Sequence, residues 1–158
     1  MSLLKKIRLL IVFFIIALIL SGVTAFPVET ELQWLQQHPS MVPAFAEIWL
    51  KDVYVALVET NAKYPMLAYG FDWLAFAHIV IAMAFIGPLK DPVKNKWIID
   101  WAILACLAVI PLAFIAGAIR HIPLFHILID CSFGVIGLIP LLICRRWIRQ
   151  LENQNAAR

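Results

Sequence analysis

Residues 97 to 144 read WIIDWAILACLAVIPLAFIAGAIRHIPLFHILIDCSFGVIGLIPLLIC, a run in which only Asp100, Arg120 and Asp130 carry a full charge. Divided at Arg120 and His121, it gives two apolar stretches, 97–119 and 122–144. Each is close to the roughly 20 residues that cross a hydrocarbon core of about 30 Å at about 1.5 Å rise per residue. So short a link predicts a tight antiparallel helical hairpin, with Pro123 pre-setting the first turn of its second helix. Pro111 and Pro140 fall inside the two stretches. Helices in lipid tolerate proline because neighbouring helices, hydroxyls or waters satisfy the freed carbonyl, so modest kinks are expected there.

Two further stretches lie N-terminal to this hairpin. Residues 9–28, LLIVFFIIALILSGVTAFPV, hold no charge, and residues 73–89, WLAFAHIVIAMAFIGPL, hold only His78 and end at Gly87-Pro88. The first stretch, preceded by Lys5, Lys6 and Arg8, also has the pattern of a secretory signal peptide cleavable after Ala25. A retained span is favoured because the uncharged run continues to full spanning length. The composition agrees: 63% of the 158 residues are hydrophobic and 15% charged, against roughly 45–50% and about 25% in soluble domains. A soluble domain of this length buries only about 70% of its surface, so a free soluble monomer would expose much of that excess. Disorder needs few apolar residues and a disulfide-built module needs dense cysteine, so both are excluded. The fold class expected is all-α: a polytopic membrane bundle of four transmembrane helices forming one domain over 1–158.

Orientation follows from the basic residues, which are retained on the cytoplasmic side. Lys5, Lys6 and Arg8 precede the first span; Lys90, Lys94 and Lys96 join the second to the third; Arg145, Arg146, Arg149 and Arg158 follow the fourth. Lys51, Lys63 and Arg120 fall on the opposite side with Glu29, Glu31, Glu47, Asp52, Glu59 and Asp72. Both termini are therefore expected inside, with a cytoplasmic tail 145–158 and a periplasmic helical loop 29–72. The net charge of +3 reflects this topology and points to no nucleic acid; the partner is the lipid bilayer, the basic residues lying near anionic headgroups. Trp73, Trp97, Trp101 and Trp147 suit the interfacial aromatic belts. In the outer loop, helices are expected over 29–37 and 43–61, the second amphipathic through Phe45, Ile48, Trp49, Val53 and Ala56. That face would rest on the outer leaflet or cap the bundle; a lid or a docking surface is the rival. The polar tail LENQNAAR is expected to fray.

Ionisable residues within spans are costly, so they face the interior and find partners. His78 lies about 7.5 Å into the second span and Asp130 about 9 Å into the fourth, with His126 nearer the surface and Arg120 at the outer end of the third. Small-residue stripes mark the packing faces: Ala102, Cys106, Val109, Ala113, Ala116, Gly117 and Arg120 in the third span, His126, Asp130, Gly134 and Gly137 in the fourth, Ala75, His78 and Ala82 in the second. All three stripes lead to one outer polar layer. The expectation is a cluster of His78, Arg120, His126 and Asp130 in which Arg120 pairs with Asp130. The alternative is that such a pair serves only to fix helix register, since removing one partner of a buried pair costs about 3–5 kcal/mol. Asp72 reads as the N-cap of the second span, and Asp100 as an interfacial residue near Lys96.

His126 and Asp130, four apart, have the spacing of two metal ligands, and His78 is a candidate third. Facing histidines also suit a haem, although a histidine bonded to an aspartate one turn away gives the same pattern. No cofactor follows from these residues alone. Cys106, Cys131 and Cys144 lie at three depths and in odd number, which argues against a disulfide. No G-x-S-x-G, H-E-x-x-H, C-x-x-C or Gly-rich phosphate loop is present. The strings GFDWLAFAHIVIA (70–82) and LIDCSFGVIGLIPL (128–141), with the R-H-I-P turn, resemble a group of small four-span bacterial inner-membrane proteins. The resemblance implies a bacterial cytoplasmic membrane and carries over no activity. The residues favour an accessory or interaction subunit, with another membrane protein as its candidate partner, over an enzyme. The alternatives are a small redox, metal or haem protein using His78, His126 and Asp130, and a binder or transporter of a small anion through Arg120.

Overall fold

The computed structural model describes residues 1–156. In chain order its helices are α1 (Leu3–Ala25), α2 (Val28–Gln37), α3 (Ala44–Lys63), α4 (Ala68–Ala84), α5 (Ile86–Lys90), α6 (Lys96–Ile119) and α7 (Leu124–Ala156), with 3-10 turns at Pro39–Met41 and Pro65–Leu67. No strand occurs among the described residues. Four stretches, Leu3–Ala25, Pro65–Lys90, Lys96–Ile119 and Leu124–Ala156, are long and apolar enough to cross a membrane.

Proline sets two of the helix boundaries and moves them from their expected places. The first stretch stops being helical at Ala25 rather than running to Val28, because Pro27 disfavours the helical conformation at Phe26. The second breaks between Ala84 and Ile86, before Gly87 is reached. Pro88 has no N–H to donate, and its ring collides with the carbonyl four residues back, which is that of Ala84. Pro111 and Pro140 both lie inside unbroken helices. Asp72 is not an N-cap: α4 begins at Ala68, so the carboxylate sits one turn inside the helix.

The chain divides into two compact units, one of Met1–Ile16 with the described residues from Met83 on, the other of Ala17–Ala82. In the first unit, Ile7 and Ile11 of α1 are buried with Phe85, Ile99, Leu141, Cys144 and Ile148, and Phe14 meets Phe85 at 4.9 Å between ring centroids. The most extensive helix pair is α6 against α7. A Cβ added to Gly134 would stand 2.6 Å from the backbone oxygen of Cys106, and one on Gly117 would stand 2.5 Å from Ile127 Cδ1. The helices therefore approach to backbone contact, which is the work expected of small residues in lipid, where no hydrophobic effect draws helices together.

The α6–α7 turn is built from backbone bonds. Ile122 N–H donates to the Gly117 carbonyl (2.9 Å) and His121 N–H to the Ala118 carbonyl (3.4 Å), the paired closure of a Schellman cap. It requires a left-handed residue, and His121 supplies it at φ 56°. At the opposite, open end of this pair, Arg145 donates to Asp100 and Lys96 Nζ lies 2.9 Å from Glu152 Oε2. Asp100 is thus bound across to α7 rather than left beside Lys96. These contacts also explain why residues 151–156 are helical and not frayed: Glu152 is held to α6, and α7 with its 33 residues extends about 50 Å, well beyond a bilayer core. Ala157 and Arg158 lie outside the described residues.

In the second unit, α2 and α3 lie together, tied where Asn61 Nδ2 donates to Glu29 Oε2 (2.6 Å), with Leu32 and Ala46 buried. The covered side of α3 runs through Ala46, Leu50, Leu57 and Asn61. Of the apolar face read from the sequence, Phe45, Ile48 and Ala56 are exposed, and Trp49 and Val53 are partly covered. Gly22 of α1 meets α4, where an added Cβ would be 2.7 Å from the Ala75 carbonyl oxygen and 3.2 Å from His78 Cβ.

Candidate functional site

The polar residues singled out by the sequence divide between the units. His78 belongs to the second. Its ring Nδ1 lies 2.9 Å from the Leu74 carbonyl oxygen on its own helix. A carbonyl only accepts, so Nδ1 carries the proton there and Nε2 is the atom with an available lone pair when the ring is neutral.

Arg120, His126 and Asp130 belong to the first unit and surround the α6–α7 turn. His126 Nε2 stands 3.9 Å from Asp130 Oδ1, one helical turn apart, with both side chains about half exposed. Phe125 sets its ring edge-on to His126 at 6.3 Å between centroids. Arg120 is the C-cap of α6 and is exposed. The Arg120–Asp130 ion pair expected from the sequence does not form: among the described residues no salt bridge reaches Arg120, and Asp130 is engaged by His126 instead. Geometry gives the reason. Asp130 lies six residues into α7, about 9 Å along its axis, whereas Arg120 sits in the turn itself. An exposed guanidinium keeps its hydration, so reaching down the helix gains little.

The local chemistry is that of a histidine beside a carboxylate, able to hold or pass a proton, and of a guanidinium with its planar donors turned outward. His126 and Asp130 offer two metal ligands; no group of three or more His, Cys, Asp or Glu able to hold a metal occurs among the described residues. Cys131 and Cys144 are buried and Cys106 is partly covered, and all three are free thiols.

The open end holds features that sequence reading passed over. Arg8 Nε donates to the Leu89 carbonyl (3.1 Å) and Nη2 to the Lys90 carbonyl (3.2 Å), satisfying carbonyls that the short α5 leaves without helical partners. Lys6 Nζ lies 5.9 Å from the centre of the Trp147 ring. In the sequence these cations are visible only as orientation markers, because a contact between residues 8 and 90 has no local signature. No family model, curated protein or solved structure matches the chain.

Proposed function

We propose that the chain is an integral protein of a bacterial cytoplasmic membrane, with both termini cytoplasmic, that acts as an accessory or interaction subunit. Its outward polar cluster consists of Arg120, His126 and Asp130 at the α6–α7 turn, while His78 lies in the other unit. The observation that carries this reading is the state of Arg120: an exposed cation at the turn, joined to no carboxylate among the described residues. A charge that the fold does not use remains available to another chain. The spans support the same reading. Only 11–28% of the residues in each apolar stretch are buried, which leaves broad surfaces for lipid and for a neighbouring protein.

The test is purification of the full chain from its native membrane in mild detergent. A constant companion protein is expected, and Arg120→Gln should reduce its recovery without changing the amount of chain in the membrane. Recovery of the chain alone, or of the same companion in equal yield from the variant, contradicts the reading. A second reading rests on the same guanidinium: a binder or transporter of a small anion would show saturable binding of a carboxylate or phosphate ligand that Arg120→Gln abolishes and Arg120→Lys weakens. The metal or haem reading needs ligands beyond His126 and Asp130, and is tested by elemental analysis and a visible absorption spectrum of the purified protein.

A further inference from the structure

A groove of about 430 Å³ opens at the open end of the first unit, lined by Leu4 and Arg8 of α1, by Lys90, Asp91 and Lys94, and by Leu151 of α7, among others. Its volume falls within the range of about 300–1,000 Å³ typical of small-ligand sites. Three cations face a single carboxylate. That carboxylate is already occupied: Asp91 Oδ1 accepts the Lys94 backbone N–H at 3.0 Å. Asp91 Oδ2 is only loosely approached by Lys94 Nζ, at 3.9 Å, with the Lys94 side chain 83% exposed. Lys90 enters no salt bridge among the described residues.

The groove is also pre-shaped. Arg8 is held in place by its two bonds to the Leu89 and Lys90 carbonyls, which leave further N–H groups of its guanidinium free to donate. The 91–95 segment is pinned by Asn95 Nδ2, which donates to the Gly87 carbonyl (3.1 Å) and the Asp91 carbonyl (2.9 Å). A fixed guanidinium in a groove that Lys90 and Lys94 also line suits a phosphate, which Arg binds through its planar fork and Lys as a point charge. Leu4 and Leu151 add an apolar wall beside the cations, which a freely soluble anion does not need and a glycerol-linked acyl chain does. Basic pockets at the cytoplasmic ends of membrane helices have this composition where they hold anionic headgroups.

We infer that this groove binds the phosphate of an anionic membrane phospholipid from the cytoplasmic leaflet. The inference rests on the membrane placement proposed above, and the two are tested separately: recovery of the chain in the soluble fraction of expressing cells defeats the placement, whatever the lipid result. For the lipid itself, the full chain is purified in neutral detergent, and its thermal unfolding is followed while phosphatidylglycerol, phosphatidylcholine or inorganic phosphate is added. Phosphatidylglycerol should raise the unfolding temperature saturably, and the other two should leave it near its starting value. The double variant Lys90→Gln/Lys94→Gln should need at least tenfold more phosphatidylglycerol for the same rise, and Lys90→Arg/Lys94→Arg should behave like the parent. Equal stabilisation by phosphatidylcholine overturns the inference, as does an undiminished response in the Gln variant. An equal effect of inorganic phosphate overturns the lipid source in favour of a soluble anion. If the Gln variant does not fold, native mass spectrometry of the parent decides: retained phosphatidylglycerol that salt displaces supports the site, and no retention, or salt-insensitive retention, overturns it.

Discussion

The two ends of the α6–α7 hairpin hold charged residues in opposite ways. At the open end, Arg145 with Asp100 and Lys96 with Glu152 join one helix to the other. At the turn end, the only salt bridge among the described residues is His126 with Asp130, along a single helix, and Arg120 takes part in none of them. The difference follows from connectivity. The turn end is already closed by the chain and by the backbone bonds of Ile122 and His121, so charge has no closing work to do there. The open end has no covalent link, and the cross-helix ion pairs hold the two helices together there without one. Charge at the turn is therefore not needed to close the hairpin, which on the proposed function leaves Arg120 available to another chain.

The contrast can be broken most severely between the two ends. Gly134→Val should wedge α6 from α7, because its Cβ meets the backbone oxygen of Cys106 and backbone cannot swing aside. A loss of about 2–3 kcal/mol is expected in reversible unfolding from detergent. At the open end, Asp100→Asn should cost about 1 kcal/mol, and a double-mutant cycle with Arg145→Gln should return most of that as coupling, since the pair is partly exposed. His121→Gly should act in the other direction, stabilising the turn by about 0.5–1 kcal/mol by relieving a left-handed side chain. Lys96→Gln should cost about 0.5 kcal/mol, as a single partly exposed pair does. Smallest of all, Asp130→Asn should change stability by less than about 0.5 kcal/mol, the scale of a single-turn pair on a helix surface. A larger loss for Asp130→Asn than for Asp100→Asn would reverse the assignment of the two ends.

The four apolar stretches were legible in the sequence because helical spans in lipid are a matter of length and apolarity, both local properties. So was the hairpin, since Arg120-His121 leaves no room for another topology. The small-residue stripe proved informative where it named backbone approach: Gly117 and Gly134 are contact points. It failed for Arg120 with Asp130, because a shared face fixes direction and not height, and two residues can lie on facing stripes yet be separated along the axis. Asp72 is no cap for a related reason: the first residues of α4 are Ala68, Tyr69 and Gly70, whose character gives no cap signal, and the nearest aspartate lies one turn inside the helix. The helical tail depended on Glu152 finding Lys96, a contact over 56 residues that no local composition announces. On α3 the apolar pattern alone does not say which residues are covered, since α2 and the Glu29–Asn61 bond also select them.

The central claim is that the turn-end charges serve another molecule and not the fold. Its most direct test is the variant Arg120→Gln/Asp130→Asn, compared with the parent in two readings on the same membranes: unfolding in detergent, and the covalent complex trapped by brief chemical crosslinking. Parent-like unfolding together with loss of the crosslinked complex is the predicted result. Destabilisation equal to that of Asp100→Asn, or a complex retained in full, would contradict it.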